Sequence, residues 1–198
     1  MSDKPLHIFA VVGSLHEKSV TRVAVNHLVE QFRAAGCSVD MLDLQVETLP
    51  LLNTDTAFTA AYYAPLRARV VAADAFILGT PDYHGSISSA LKNFLDHFWH
   101  EFAGKLFATL VASHEKGLTV HDQLRTVARQ CQAWVLPYGV SFIEKVDVKE
   151  GAVATDELRN KLELLARDVR LYGGLLAQQR KVDLAGSDSC FLARLRKK

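Results

Sequence analysis

Residues 75–98 read AFILGTPDYHGSISSALKNFLDHF, and this stretch decides how the chain is organised. The apolar run 76–78, stopped by Gly79, is typical of a parallel strand that is buried on both faces. From Leu91 onward, apolar residues recur at i, i+3, i+4 and i+7, which is the spacing of one helix face. Pro81 stiffens the joint between the strand and the helix. A rigid loop at the carboxyl end of a central strand is where open α/β sheets bind ligands.

Apolar runs and amphipathic stretches alternate along the rest of the chain. The other predicted strands are residues 7–12, 38–44, 106–112 and 135–143. The other predicted helices lie around residues 25–32, 65–73, 120–134 and 155–176. This alternation implies βαβ units with right-handed crossovers. We therefore predict an α/β fold in which a doubly wound, five-stranded parallel sheet has the order 2-1-3-4-5 and helices cover both faces.

The length of 198 residues suits one domain with a sizeable core. We expect this domain to comprise residues 1–181. The polar and basic residues 182–198 are interpreted as a tail that is disordered or packs on a neighbouring subunit. Residues 45–64 form a connection that is unusually long for a compact α/β unit, and such loops are often functional or contact another subunit.

The composition narrows the choice of compartment and partner. The formal net charge of +1 gives no electrostatic reason to expect nucleic acid as a partner. No apolar run approaches the ~20 residues needed to cross a bilayer, and the first residues lack a signal-peptide pattern. The three cysteines are far apart, which suits a reducing compartment. We expect a soluble cytoplasmic protein without a membrane partner that acts on a small molecule.

The first predicted strand is followed by GSLHEKSVTR, residues 13–22. This loop matches neither the dinucleotide fingerprint nor the nucleoside-triphosphate loop, but it is rich in hydroxyl groups. Ser14, Ser19 and Thr21, with the backbone N–H groups where the next helix begins, have the chemistry to bind a terminal phosphate. The alternative is that Ser19 only caps the helix and Ser14 only occupies a turn.

The central stretch resembles the signature Pro-Glu-Tyr-Asn-Gly-Ser-x-x-x-x-Leu-Lys-Asn-x-x-Asp of the NADPH-dependent FMN reductase family. The matching residues are Pro81, Tyr83, Gly85, Ser86, Leu91, Lys92, Asn93 and Asp96. Asp82 replaces the family's Glu, and His84 replaces its Asn. That family has a flavodoxin-like fold and includes flavin, quinone, azo and chromate reductases. The alternative is an ordinary β–α loop that binds no ligand.

Two more loops bear on this resemblance. The family usually has Gly-Ser-x-Arg-x-x-Ser-x-Asn/Thr-Arg after its first strand, and residues 13–22 match it except that His16 replaces the first Arg. The family's third loop usually contains Gly-Gly-x-x-Gly-Gly, but here residues 113–119 read SHEKGLT and only Gly117 remains. His114, Glu115 and Lys116 would bring charge to the nicotinamide entrance, unless this segment is only a surface turn.

The resemblance implies non-covalent FMN with NAD(P)H as co-substrate. The flavin N5 would carry the hydride, so no side chain is assigned a catalytic role. The residues that we expect at the cofactor are Ser14, His16, Ser19, Val20, Thr21, Pro81, Asp82, Tyr83, His84, Gly85, Ser86, Ser113, His114 and Gly117. The acceptor would be free flavin, a quinone or another small electron-poor compound. The alternative function is an FMN-binding redox sensor or electron carrier with little NAD(P)H turnover.

The resemblance also implies a homodimer or homotetramer, because the family commonly completes its flavin pocket with a second subunit. The aromatic side chains of residues 98–102 would form core or a dimer interface. His97, His100 and Glu101 have a helical spacing that suits a metal ion, but the sequence shows neither a fourth ligand nor supporting partners. We therefore assign no metal site.

Overall fold

Strands and helices alternate throughout the computed structural model, which describes residues 5–114 and 116–196. The strands are β1 (His7–Val12), β2 (Ser38–Asp43), β3 (Ala75–Tyr83), β4 (Ser86–Ile87), β5 (Leu106–Ala112), β6 (Trp134–Val135), β7 (Val140–Phe142), β8 (Val148–Lys149) and β9 (Ala152–Val153). The helices are α1 (Val20–Ala34), α2 (Tyr63–Ala72), α3 (Ser89–Asp96), α4 (Leu118–Gln130) and α5 (Asp156–Ala185). Short 3-10 turns lie at Ala57–Thr59, His100–Phe102 and Ala193–Leu195.

The central sheet has the order β2-β1-β3-β5-β6, and these neighbours are parallel. The predicted spatial order is therefore present, with two differences. The predicted fifth strand, residues 135–143, is divided into β6 and β7, which both pair with β5. The break contains Pro137, which has no N–H to donate to a neighbouring strand. Trp134, which we expected on a helix, begins β6.

The second difference is that the sheet is not wholly parallel. We expected Gly79 to stop the third strand, but β3 runs on to Tyr83 and pairs with the antiparallel β4. Gly79 has another role. A Cβ at this position would lie 2.6 Å from Cγ2 of Val25, so the missing side chain lets α1 pack closely on the sheet.

Each face of the sheet is covered by its own hydrophobic core. Side chains of α1 and α5 pack on one face, where Leu28, Phe32 and Leu165 are fully buried. Side chains of α2, α3 and α4 pack on the other face, where Phe94 and Phe76 belong to a cluster of aromatic rings. The carboxyl ends of the parallel strands are thus held as one rigid edge, and the loops that leave this edge are close together.

Two helix ends differ from the sequence prediction. Helix α3 ends at Asp96, and Phe98 and Phe102 continue the aromatic cluster from a loop and a 3-10 turn. Helix α5 begins after the predicted N-cap, Thr155, whose hydroxyl accepts a hydrogen bond from the N–H of Leu158. It continues to Ala185, so the expected domain boundary at residue 181 falls inside a helix.

The residues after α5 fold back on the domain. Leu192 is buried, and a Cβ at Gly104 would lie only 2.9 Å from its Cδ1 atom. Arg196 donates a hydrogen bond to the carbonyl of Asp183. Residues 182–196 thus pack on the rest of their own domain. We had expected a tail that is disordered or packs on a neighbouring subunit. Within the part of the chain that the structure describes, no helix is long and apolar enough to span a membrane.

Candidate functional site

The loop that follows β1 is joined directly to β3 and to the start of α3. Gly13 donates its N–H to the carbonyl of Gly79 at 2.7 Å, and the hydroxyl of Ser88 donates to the carbonyl of Gly13. Ser88 also caps α3 by accepting the N–H of Leu91, and its own N–H donates to the buried Thr80 hydroxyl. The start of α3 therefore fixes both loops at the switch point of the sheet.

The loop after β1 is organised by its own polar side chains. Ser14 accepts the N–H of His16 at 3.3 Å, and Nδ1 of His16 accepts the N–H of Lys18 at 3.1 Å. Since Nδ1 is an acceptor, a neutral His16 ring carries its proton on Nε2. His16 thus offers one N–H donor where the family has a charged guanidinium. Ser19 caps α1 by accepting the N–H of Arg22, and its hydroxyl proton remains available to an anion.

Arg22 supports this loop, although the sequence prediction did not include it among the site residues. Its guanidinium forms a bidentate ion pair with Asp43 at the end of β2. It also donates to the carbonyls of His16 and Glu17, at 3.0 and 2.8 Å. The hydrogen bond that Arg22 donates to Asp43 raises the pKa of Arg22. The sequence did contain a signal for this role, because Arg22 matches the last residue of the motif that the family has after its first strand.

The loop after β3 is a tight hairpin. Tyr83 and Ser86 are paired, and the two residues between them have positive φ angles, 58° for His84 and 75° for Gly85. This is the backbone of a type I′ turn, in which Asn-Gly is the preferred pair. His is among the residues that tolerate the left-handed region, so His84 fits the position of the family's Asn. Asp82 closes the turn by accepting the N–H of Gly85 at 2.8 Å.

A residue of α4 completes the hairpin. Gln123 accepts the N–H of Ile87 and donates to both the carbonyl of Gly85 and the hydroxyl of Ser86. The sequence prediction missed Gln123, because a polar residue on an amphipathic helix ordinarily faces solvent. This contact also explains the position of Ser86, whose hydroxyl bonds to α4.

The third loop begins next to the hairpin. Ser113 donates from its hydroxyl to Asp82 at 2.8 Å and from its N–H to the carbonyl of Phe142. Gly117 precedes α4 with φ 59°, and a Cβ there would be 2.8 Å from Cγ1 of Val111. Gly117, the one glycine among residues 113–119, therefore occupies a position where a positive φ angle and a close contact both favour glycine. His114 and Lys116 are exposed, and Glu115 lies outside the described residues.

Two adjoining cavities lie between these loops. The smaller has a volume of about 190 Å³ and is bounded by the loop after β1, the beginning of the hairpin and the start of the third loop. The larger has a volume of about 860 Å³ and is bounded by the hairpin tip and the third loop. They share Asp82, Ser113 and His114. The hydroxyl-rich loop after β1 is thus next to a larger space between the hairpin and the third loop.

The structure brings together almost all the residues that were expected at the cofactor. Those lining the smaller cavity are Ser14, His16, Ser19, Val20, Thr21, Pro81, Asp82, Tyr83, Ser113 and His114. The larger cavity adds His84, Gly85 and Gly117. Ser86 lines neither of them and instead borders a separate surface depression beside α4. Lys18 and Glu144, which were not predicted, also line the smaller cavity.

Two of the three residues considered for a metal ion, His97 and Glu101, have other partners. His97 is buried, with Nδ1 bonded to the carbonyl of Asn93 at 2.7 Å and Nε2 bonded to the hydroxyl of Tyr62. Glu101 forms an ion pair with Arg67. Among residues 5–114 and 116–196, no three His, Cys, Asp or Glu side chains are grouped so as to hold a metal ion.

Comparisons with known proteins place this chain in a family. Residues 6–147 match the family model described as NADPH-dependent FMN reductase. The chain is 38% identical over 94 residues to an FMN-dependent NADPH-azoreductase of Staphylococcus haemolyticus (strain JCSC1435). That match covers 44% of this chain and 49% of the relative, so the chain spans about half the length of the curated relatives it matches.

Solved structures share the fold. The apo form of the NADH:FMN oxidoreductase EmoB superposes with a TM-score of 0.68 and 22% identity, covering 84% of this chain and 89% of that one. The NAD(P)H:(acceptor) oxidoreductase FerB from Paracoccus denitrificans gives a TM-score of 0.67 and 18% identity, covering 87% and 98%. The sheet order, the loop bonded to β3 and the family match over most of the sequence lead to one conclusion: this chain belongs to the NADPH-dependent FMN reductase family.

Proposed function

We propose that the protein is an FMN-containing oxidoreductase that uses NAD(P)H to reduce a small acceptor. One observation carries the proposal. The hydroxyl-rich loop after β1 is bonded to β3, and this loop and residues 81–83 at the end of β3 bound the same cavity. This places helix N–H groups and hydroxyls that could hold an anion beside the open space next to the hairpin, as a flavin mononucleotide requires.

The chain's own groups fit the two ends of FMN. The phosphate would be held by the hydroxyls of Ser14 and Ser19 and by the first-turn N–H groups of Val20 and Thr21, which have no acceptor within the helix. Residues 81–85, together with Ser113, His114 and Gly117, would bound the ring. When bound, FMN supplies the hydride chemistry, accepting from the nicotinamide and passing reducing equivalents to the acceptor. The protein supplies binding, orientation and a site open to a second molecule.

The acceptor class follows from the openness of the larger cavity. Its exposed rim includes His84, His114 and Lys116, and hydrogen-bond donors at such a rim favour electron-poor compounds with oxygen or nitrogen acceptors. Free flavins, quinones and similar small molecules fit this description. The same charged third loop, with one glycine left, also favours a second candidate, a flavin-binding redox sensor or electron carrier with little NAD(P)H turnover.

Single-turnover spectroscopy distinguishes these two functions. The FMN-loaded protein is mixed with NADPH or NADH without oxygen, and the visible flavin band is followed. A reductase loses the band and regains it when a quinone or free flavin is added. Loss of the band with dithionite but with neither nucleotide would reject the reductase and leave the sensor or carrier.

Phosphate binding has its own test. Hydrogen bonds to charged groups are worth ~1.5–3 kcal/mol each, so Ser14→Ala with Ser19→Ala should weaken FMN binding by about a hundredfold or more. Fluorescence titration of the refolded apoprotein measures this affinity. Ser89→Ala, which changes an exposed serine at the start of α3, is the matched control and should leave it unchanged. Equal affinities in the double variant and the control would place the phosphate elsewhere.

The proposal includes a homodimer or homotetramer in the cytoplasm, with no nucleic-acid or membrane partner. The half-exposed Trp99 and Trp134 are large apolar side chains of the kind that subunit interfaces cover. The three thiols, Cys37, Cys131 and Cys190, are free, which suits a reducing compartment. Light scattering of the FMN-loaded protein at micromolar concentration should give at least twice the mass of one chain. A single-chain mass would reject the oligomer.

A further inference from the structure

A chain of hydrogen bonds runs from the core of the sheet to the third loop. His121 of α4 is only 4% exposed, and its two ring nitrogens bond to two different strands. Nδ1 is 2.8 Å from the hydroxyl of Thr109 on β5, and Nε2 is 3.0 Å from the hydroxyl of Ser141 on β7. The Ser141 hydroxyl bonds in turn to the carbonyl of Lys116. A buried imidazole is thus linked to the backbone that bounds the larger cavity.

The direction of each hydrogen bond in this chain follows from its last member. A carbonyl only accepts, so the Ser141 hydroxyl donates its one proton to Lys116. Ser141 must then accept from His121, which requires the proton on Nε2. Nδ1 is left to accept the hydroxyl proton of Thr109. Burial lowers the pKa of His121 to about 4, which keeps the ring in this neutral form at pH 7.

The surroundings leave space for an imidazole at this position. A Cβ at Gly139 would lie 2.3 Å from Cε1 of His121, so the ring occupies the space that a side chain would need. The same strand segment supports the loop at two more points. Phe142 accepts the N–H of Ser113, and a Cβ at Gly117 would be 3.3 Å from the Ser141 hydroxyl. Ser113 and Gly117 thus lie against β7, and β7 is bonded to His121.

We propose that His121 is a positioning residue that holds the backbone at Lys116 and Gly117 through Ser141 and so controls how the nicotinamide or the acceptor binds. The inference rests on the proposed function, since it assigns the larger cavity to the visiting molecule. His121 touches neither cavity itself. The phosphate loop shares none of these hydrogen bonds, so FMN affinity should change less than the affinity for the visiting molecule.

Paired substitutions separate the relay from simple packing. The side-chain amide of glutamine reaches the place of Nε2 and retains a donor to Ser141, whereas asparagine ends near Nδ1 and loses that donor. Loss of one hydrogen bond of ~1 kcal/mol corresponds to about fivefold. His121→Asn and Ser141→Ala should each raise KM for NAD(P)H by about fivefold, with a smaller change in FMN affinity. His121→Gln should restore most of the lost affinity for the nucleotide.

Amide hydrogen exchange tests the same link without turnover. In the FMN-loaded full chain, the amides of residues 116–118 should exchange about fivefold faster in His121→Asn and Ser141→Ala than in the unsubstituted protein or His121→Gln. Equal exchange and equal KM in all four proteins would overturn the proposal. Equal losses in the Asn and Gln variants would also overturn it, because they would show that the imidazole only fills space.

The unsubstituted protein provides an independent check should a variant fail to fold. Nitrogen-15 NMR of histidine-labelled protein reports which ring nitrogen carries the proton. The relay requires the Nε2–H form of His121 at pH 7. A proton on Nδ1 would make Ser141 donate to His121 instead of Lys116 and would reject the relay. If the protein has no NAD(P)H turnover at all, the exchange and NMR results still decide this inference separately from the proposed function.

Discussion

Single residues determine how closely the loops and strands of this site approach one another. Gly13 is the clearest case, because its N–H bonds to Gly79 and its carbonyl accepts from Ser88. A Cβ at Gly13 would be 2.7 Å from Cβ of Leu91 and 2.8 Å from the carbonyl oxygen of Gly79. Neither neighbour is the end of a flexible side chain, so the backbone would have to move. The loop after β1 approaches β3 this closely only because Gly13 has no side chain.

Gly13→Ala should therefore destabilise the protein by about 1–3 kcal/mol, as expected for overpacking in a rigid environment. Gly174→Ala is the matched control, since this glycine lies inside α5 and a Cβ there would meet nothing within 4 Å. Alanine is the better helix former, so the control should gain about 0.5–1 kcal/mol. Urea unfolding measures both, and a Gly13→Ala variant as stable as the control would contradict the close-contact argument.

At the scale of elements, one side chain of the family signature organises a long loop. Asn93 of α3 is buried and donates to the carbonyl of Pro50 at 2.9 Å, while its side-chain oxygen accepts the N–H of Leu52 at 2.9 Å. The connection between β2 and α2 is thus attached to the helix that follows the hairpin. The adjacent Lys92 forms an exposed ion pair with Asp96 instead. Two adjacent residues of the motif therefore have different roles: Asn93 holds the long loop, and Lys92 only pairs with Asp96 at the surface.

Asn93→Ala should cost about 1–3 kcal/mol, because it removes both hydrogen bonds of a buried side chain to the loop. It should also make residues 45–62 the first site of cleavage by a protease at low concentration. Lys92→Ala removes only an exposed pair and should change stability by about 0.5 kcal/mol or less. Thermal unfolding and timed proteolysis of the two variants give the comparison. Similar behaviour would show that the loop is held by other contacts.

At the scale of the whole molecule, the chain after α5 is part of the domain. Leu192 is 1% exposed and packs against Gly104, which precedes β5. Phe191 meets Trp134 edge to face, with ring centroids 6.4 Å apart. The C-terminal segment therefore covers the amino ends of β5 and β6, at the edge of the sheet opposite the candidate site.

Leu192→Ala should lower the free energy of unfolding by about 2–4 kcal/mol, the range for truncating a buried leucine. Leu175→Ala, at a leucine of α5 that is 59% exposed, should change it by about 0.5 kcal/mol or less. FMN binding should be unaffected in both, because neither residue lies near the cavities. Equal stabilities in denaturant would indicate that the segment is detached in solution.

The sequence alone determined the features that depend on local chemistry and period. Alternating apolar runs and amphipathic stretches predicted the α/β class and the spatial order of the sheet, because strands buried on both faces leave continuous apolar runs and helices leave a period of 3.6 residues. Pro81 predicted a rigid loop after the third strand, and the hydroxyl groups of residues 13–22 led to the anion site that we propose. The match of residues 81–86 and 91–96 to a family signature predicted the family, and the family model confirms it.

Only the tertiary structure decided what depends on residues distant in sequence. The division of β6 from β7, the extension of β3 through Pro81, and the packing of Leu192 all arise from neighbours that no local pattern contains. The supporting roles of Gln123 and His121 have the same origin. A polar residue on an amphipathic helix has the same sequence signal whether it faces water or a partner loop. Its role is decided by which strand ends the fold brings beside it, because hydrogen bonds depend on distance in space.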